Sequence, residues 1–352
     1  MNKLVLDMKD QRPVWARPDW FVAHLRDALP DDWEIVVIEE DADGSGDGSA
    51  RVSAGVLGAV RDARAYLGFG IAAEVLTEGW ELEWVHTGAA GVGNSLTLEM
   101  LESPVRFTNS AGIHAIPMAE TVLGMILYFA RGFDFAVAGM GQGRWSTDSF
   151  YEEESPVREL SQSVVGIIGV GGIGREIALR AAAFGAGVIG LRRSPVQPGE
   201  SPAWTAQAGP GEIRVVSGED GFAEVLSASD YLVLSAPATA ETDGMVSRDA
   251  IAALRKGAVL INVSRGSLVD QEALVDALRS GRVRGAGLDV FAREPLAEGH
   301  PLWGLPNVLL TPHVSAVTRT FWRREADLIL ENLSHLLAGE PLRNEVDKAR
   351  GY

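Results

Sequence analysis

Between Val164 and Ser194 the chain reads VVGIIGVGGIGREIALRAAAFGAGVIGLRRS, and few arrangements accommodate that stretch. The apolar run Val164–Ile168 stops at Gly169, and Gly169, Gly171 and Gly174 are spaced as a tight turn entering a helix. Ile173, Ile177, Leu179, Ala182 and Ala183 recur at helical spacing and are predicted to line its buried face. A second apolar run, Val188–Leu191, completes a βαβ unit. In such a unit the first glycine makes the turn, the second lets backbone approach a pyrophosphate, and the third lets helix pack on strand. Phosphates would then sit on the free N–H groups of Gly172, Ile173 and Gly174, at the positive end of the helix. A merely structural glycine turn is the alternative. The flanking strand and helix weigh towards a dinucleotide site.

At 352 residues and 46% hydrophobic content, the chain holds enough apolar material for two cores. Its 48 acidic and 31 basic residues give a formal charge of −17, which opposes nucleic-acid backbones and anionic membranes, so neither partner is expected. The absence of cysteine removes disulfides, thiolate zinc sites and a cysteine nucleophile. Nothing in Met1–Gln11 resembles a cleavable signal, so a cytoplasmic location is expected. Asp41, Asp43, Ser45 and Gly46 match the opening of a calcium loop, but Val52 stands where a bidentate Glu is required, which favours a solvated loop. His24, His86, His114, His300 and His335 share no metal-ligand spacing, and no metal is expected. They read as structural or exposed, with substrate approach the lesser alternative for His86.

Runs at Leu4–Leu6, Glu34–Ile38, Ala65–Gly68 and Leu82–His86 are predicted strands, with a helix after Pro18 that presents Phe21, Leu25 and Leu29. The loop TGAAGVGNS, Thr87–Ser95, leaves backbone N–H groups accessible and is either an anion cradle or an ordinary turn. Pro117 opens a predicted helix to about Ala138 that links two domains. Beyond the central unit, strands are predicted at Ile213–Val216, Tyr231–Leu234, Val259–Asn262, Ala286–Asp289 and Val308–Leu310, and helices at Phe222–Leu226, Arg248–Leu254 and Gln271–Arg279. A final helix, Ala316–Leu337, is expected to cross back to the first domain, and Gly339–Tyr352 to form a tail. Strands alternating with helices give parallel sheets whose ligands lie beyond the carboxyl ends of the strands.

Three polar residues follow such strand ends: Arg265, Glu294 and His313. A guanidinium binds a carboxylate bidentately and polarises a neighbouring carbonyl, while an imidazole oriented by a carboxylate moves a proton. Together they suit hydride addition to a 2-oxo acid. Singly, each has a plain alternative: Arg265 a surface ion pair, Glu294 a loop charge, His313 a polar cap. Their joint placement past successive strands weighs against coincidence.

The ordered segments GVGGIG, INVSRGSLVD, LDVFAREPL and NVLLTPHVSA closely resemble the D-isomer-specific 2-hydroxyacid dehydrogenase family. That resemblance implies an α/β protein of two doubly wound parallel-sheet domains, a Rossmann-type nucleotide domain (115–315) inserted in a flavodoxin-like substrate domain (1–114 and 316–352), with a catalytic cleft between them. It implies that Arg265 binds the substrate carboxylate, that His313 is the acid/base paired with Glu294, and that Ala90 and Gly91 lend backbone amides to the carboxylate. It also places Asp289 near the nicotinamide carboxamide and adds Pro237 to the cofactor contacts, and it implies a homodimer. Where NAD-preferring relatives carry an Asp that accepts from the adenosine ribose, this chain has Arg192, Arg193 and Ser194. Two guanidiniums and a hydroxyl suit a 2′-phosphate, so NADPH (NADP) is the expected cofactor, with NAD possible and solvent-facing arginines as the alternative.

Glu294 stands where formate dehydrogenases of the superfamily carry Gln, and no regulatory domain is expected after Leu337, unlike many phosphoglycerate dehydrogenases. The expected reaction is NAD(P)H-dependent reduction of a small 2-oxo acid, such as glyoxylate or hydroxypyruvate, or the reverse oxidation. A nucleotide-sensing, corepressor-like interaction protein is the competing class. Trp322 is a candidate for substrate specificity, and core packing is expected of Trp145 and Trp303.

Overall fold

Short aliphatic runs, apolar at every position and punctuated by glycine or acidic turns, become strands covered on both faces, as parallel sheets require. The computed structural model describes residues 2–42, 51–196, 202–207 and 209–351. Asp43, Ser45 and Gly46 of the calcium-loop alternative lie outside the described residues. The chain divides into two compact units, Met1–His114 with Val317–Tyr352, and Ala115–Ala316.

The unit containing the N-terminus holds β1 (Asn2–Asp7), β2 (Trp33–Val37), β3 (Ala65–Gly68), β4 (Trp84–Thr87) and β5 (Arg106–Asn109), in the order β2-β1-β3-β4-β5. All pairings are parallel, giving the flavodoxin-like order. Leu4 and Leu6 face a core with Phe21, Leu25, Trp84, Phe321 and Ile329, while Val5 faces Tyr66, Val85, Met100 and Phe107 on the other side. The strand expected at Leu82–His86 begins at Trp84, because Leu82 is held in a turn by its N–H bond to the Gly79 carbonyl. The last helix starts at Phe321 rather than Ala316, and Phe321, Trp322, Ala326 and Ile329 bury it against this unit. Residues after Gly339 are not a loose tail: Leu342 and Val346 are buried, and Glu345 bridges Thr108.

The other unit holds β6 (Val164–Ile168), β7 (Gly187–Arg192), β8 (Ile213–Ser217), β9 (Tyr231–Leu234), β10 (Val259–Asn262), β11 (Gly285–Leu288) and β12 (Val308–Leu310). Their order is β12-β11-β10-β9-β6-β7-β8, all parallel, so the winding reverses between β6 and β9. The crevice at such a reversal is where ligands of these sheets bind. The helix expected from Pro117 to Ala138 is two, Ala115–Ala130 and Phe133–Gly141, bent by 74° at Gly132, whose φ of +68° ends the first. Pro117 falls inside the first turn of Ala115–Ala130, where its missing N–H leaves no bond unmade.

In the helix Gly172–Ala183, Ala178 and Ala181 join Ile177 and Ala182 on the buried face, whereas Ala183 is exposed. The helix expected over Phe222–Leu226 extends to Gly218–Ala228. Trp145 and Trp303 are 97% and 59% exposed, so neither packs in a core. Among the described residues no single helix is long and apolar enough to cross a membrane.

Candidate active site

Gly169 ends β6 with φ +95°, and a Cβ there would stand 2.6 Å from the Ala236 backbone, so the turn admits only glycine. Gly174 is tighter still, since a Cβ would stand 2.0 Å from the Gly169 carbonyl oxygen where the helix closes on the turn. Gly171 differs from both. No other part of the chain comes within 4 Å of the place its Cβ would take, so the fold itself does not demand glycine there. Gly171 is also the N-cap of Gly172–Ala183 and offers no side chain to the first-turn N–H groups. Open space over uncapped N–H donors fits the pyrophosphate of a dinucleotide.

At the end of β7, Arg192 donates from Nε to the Ser194 carbonyl at 3.0 Å and from Nη2 to the Pro195 carbonyl at 2.6 Å. Arg193 Nη2 meets Glu241 Oε1 at 3.1 Å, and Ser194 is exposed. A phosphate arriving here would compete with Glu241 for Arg193. Pro237, past β9, is exposed, and its carbonyl accepts from Thr242 Oγ1 at 2.6 Å.

Strands β10, β11 and β12 end level with one another, Asn262 opposite Leu288 and Leu288 opposite Leu310. Past β10, Asn262 shapes the turn: its Nδ2 donates to the Arg265 carbonyl at 2.9 Å and its Oδ1 accepts from the Ser264 N–H at 3.0 Å. The Arg265 guanidinium donates to the Ser264 carbonyl at 2.8 Å. A Cβ on Gly266 would lie 1.9 Å from the Phe291 carbonyl carbon, so this turn rests directly on the loop that follows β11. In that loop Glu294 Oε1 accepts from the Phe291 N–H at 2.9 Å, and Oε2 lies 2.7 Å from His313 Nδ1. Glu294 and His313 are each about one-third exposed, and with Nδ1 turned to Glu294 the ring presents Nε2 on its other side.

His313 adopts φ +54°, a conformation rare outside glycine, and its surroundings impose it. Its N–H donates to the Asp289 carbonyl at 2.9 Å. The buried Asp289 carboxylate takes the rest of the loop, accepting from Thr311 Oγ1 at 2.5 Å, Val314 N–H at 2.9 Å and Ser315 N–H at 3.0 Å. Asp289, which the resemblance puts near the nicotinamide carboxamide, also uses its side chain to build the His313 turn. Sequence reasoning missed Asn262 and Gly266, although an Asn ending an apolar strand before Ser-Arg-Gly is a recognisable turn signal. Ala90 and Gly91 belong to the other unit, in the loop after β4, where the Ala90 carbonyl accepts from Asn109 Nδ2 at 2.8 Å.

Residues 123–315 match the family model for the D-isomer specific 2-hydroxyacid dehydrogenase, NAD binding domain. The chain belongs to the D-isomer-specific 2-hydroxyacid dehydrogenase family. Family members similar to it include a glyoxylate/hydroxypyruvate reductase A from Citrobacter koseri, 32% identical over 79% of this chain and 84% of that protein. A D-3-phosphoglycerate dehydrogenase from Methanocaldococcus jannaschii is 31% identical over 78% of the chain, which spans only 49% of that longer protein. A crystal structure of a D-isomer specific 2-hydroxyacid dehydrogenase from Xanthobacter autotrophicus Py2, in complex with NADPH and MES, superposes with a TM-score of 0.78 at 29% identity, covering 100% of this chain and 99% of that one. The family is one of NAD(P)-dependent oxidoreductases with this pair of parallel-sheet domains.

Proposed function

We propose that the chain is an NADPH-dependent reductase converting a small 2-oxo acid, of the glyoxylate or hydroxypyruvate type, to the D-2-hydroxy acid, with the reverse oxidation available. The observation that carries this reading is the 2.7 Å contact between Glu294 and His313, past strand ends of the sheet that also bears the glycine turn. The Gly169–Gly174 turn would hold the pyrophosphate of a nicotinamide cofactor, which when bound would supply the hydride. Arg265 pairs with the substrate carboxylate and polarises the adjacent carbonyl. His313 Nε2 gives its proton to the carbonyl oxygen as it becomes an alkoxide, and Glu294 holds the ring oriented through Nδ1. Ala90 and Gly91 lend backbone amides to the substrate carboxylate. Pro237 and the strand end at Asp289 are the residues that would line the place of a bound nicotinamide.

Arg192, Arg193 and Ser194 favour NADPH, a reading supported by the NADPH bound in the Xanthobacter relative. A homodimer is supported by the exposed apolar residues Phe133, Val137 and Met140, one stripe of a helix, with Trp145 and Tyr151 nearby in sequence. Loss of nicotinamide absorbance with glyoxylate, hydroxypyruvate and pyruvate, each offered with NADPH and with NADH, tests the reaction and the cofactor preference. Turnover of at least one acid, faster with NADPH, is expected. Tight nucleotide binding without turnover of any acid would instead support a sensor, and a strong NADH preference would reject the 2′-phosphate assignment.

A further inference from the structure

The loop after β4 owes its shape to residues that the reaction scheme leaves unused. Asn109, the last residue of β5, donates from Nδ2 to the Ala90 carbonyl at 2.8 Å and accepts the Ala111 N–H on Oδ1 at 3.2 Å. The next residue, Ser110, donates its N–H to the Ala89 carbonyl at 3.1 Å. Its hydroxyl lies 3.0 Å from the Thr87 carbonyl and 2.8 Å from Glu325 Oε2. The carbonyls of Thr87, Ala89 and Ala90 are thus all gathered on the β5 side. Consecutive peptides whose C=O groups are fixed in one direction have little freedom in their N–H directions.

Behind Ser110 stands a polar chain with no exposure at any of its members. Trp84 Nε1 donates to Thr108 Oγ1 at 2.8 Å, Thr108 Oγ1 lies 2.8 Å from His86 Nδ1, and His86 Nε2 lies 2.9 Å from Glu325 Oε1. It joins β4, β5 and the helix Phe321–Ala338, with both His86 nitrogens engaged inside the unit. Interior polar groups are costly unless every one is paired, and an apolar core of this size has no need of them for packing alone. The Asn344 carbonyl accepts from the Asn109 N–H at 3.2 Å, adding the C-terminal segment to the same support.

We propose that Asn109 and Ser110, anchored by the buried Glu325–His86 pair, are positioning residues that aim the Ala90 and Gly91 amides at the substrate carboxylate. This inference rests on the oxidoreductase reading above and names side chains that reading does not. Removing the Asn109 donor frees the Ala90 peptide and weakens acid binding, leaving the nucleotide site in the other unit untouched.

The test compares wild type with Asn109→Ala and, should that variant fold poorly, Ser110→Ala. Two quantities are measured on nucleotide-loaded protein: the Kd of oxamate, an unreactive isostere of a 2-oxo acid, and kcat with KM for the acid and for NADPH. The expected result is a rise of about tenfold in oxamate Kd and in KM for the acid, as loss of one well-placed hydrogen bond gives. The KM for NADPH and kcat at saturating acid should stay within about twofold. Folded variants that bind oxamate like wild type overturn the proposal. So does a parallel change in both KM values and kcat, which general loosening of the unit would produce. Wild type that neither binds oxamate nor turns over any acid condemns the oxidoreductase reading itself, a result readable before any variant is made.

Discussion

At the scale of single residues, three glycines that look equivalent in sequence do different work. A Cβ at Gly174 meets the Gly169 carbonyl at 2.0 Å, whereas one at Gly171 meets nothing within 4 Å. Gly174→Ala should therefore cost about 1–3 kcal/mol of stability, as overpacking does, and be seen as a lower denaturation midpoint. Gly171→Val should unfold at nearly the wild-type midpoint yet bind NADPH at least about tenfold more weakly by fluorescence titration, because its side chain would fill the ligand's space. Equal loss of stability in the two variants would contradict this division of roles. The spacing was legible in the sequence because the turn needs glycine by conformation. The distinction was not, since it depends on what stands opposite each Cβ. Arg265, Glu294 and His313 were legible as types placed after strands, but the second contact of Glu294, to the Phe291 N–H, appears only once the loop is folded.

At the scale of elements, the strand ends make the site and the loops aim it. Strands β6, β9 and β10 could be read nearly to the residue because buried parallel strands are continuous apolar runs, and half-buried β12 keeps the same apolar run. Strand β5, RFTN, escaped because it is short and polar, and the helices Ala54–Val60, Ala73–Glu78 and Leu98–Glu102 because they are too short to display a period. The His313 turn is the least legible, since its shape comes from Asp289, more than twenty residues away in sequence. Asp289→Asn sets an amide donor against an N–H or hydroxyl that formerly found a carboxylate oxygen. It should cost about 1–3 kcal/mol, the penalty of a buried unpaired group. Because His313 is displaced, kcat should fall at least about tenfold while the Kd for NADPH, by titration, changes little. Unchanged kcat in the folded variant would separate Asp289 from the reaction.

At the scale of the whole molecule, each unit closes its own parallel sheet between apolar layers, and some polar groups are buried in the process. Asp7 at the end of β1 is one: burial raises its pKa above the ordinary 3.8, partly countered by the 2.7 Å hydrogen bond from Tyr66 Oη. The folded state then holds this proton more tightly than the unfolded state. Stability contributed by the group is full below pH 3.8 and is lost as pH rises through the raised value. Asp7→Asn keeps an acceptor for Tyr66 and removes the buried charge. In urea titrations it should be more stable than wild type at neutral pH, with the advantage vanishing as pH falls towards 3.8; an advantage independent of pH would contradict the assignment. The central claim, that His313 delivers the proton under the hold of Glu294, is tested most directly by kcat for a 2-oxo acid with NADPH in His313→Ala beside wild type. A fall of at least about 10²-fold with NADPH affinity unchanged is expected, as loss of a general acid brings. Turnover equal to that of wild type would contradict it.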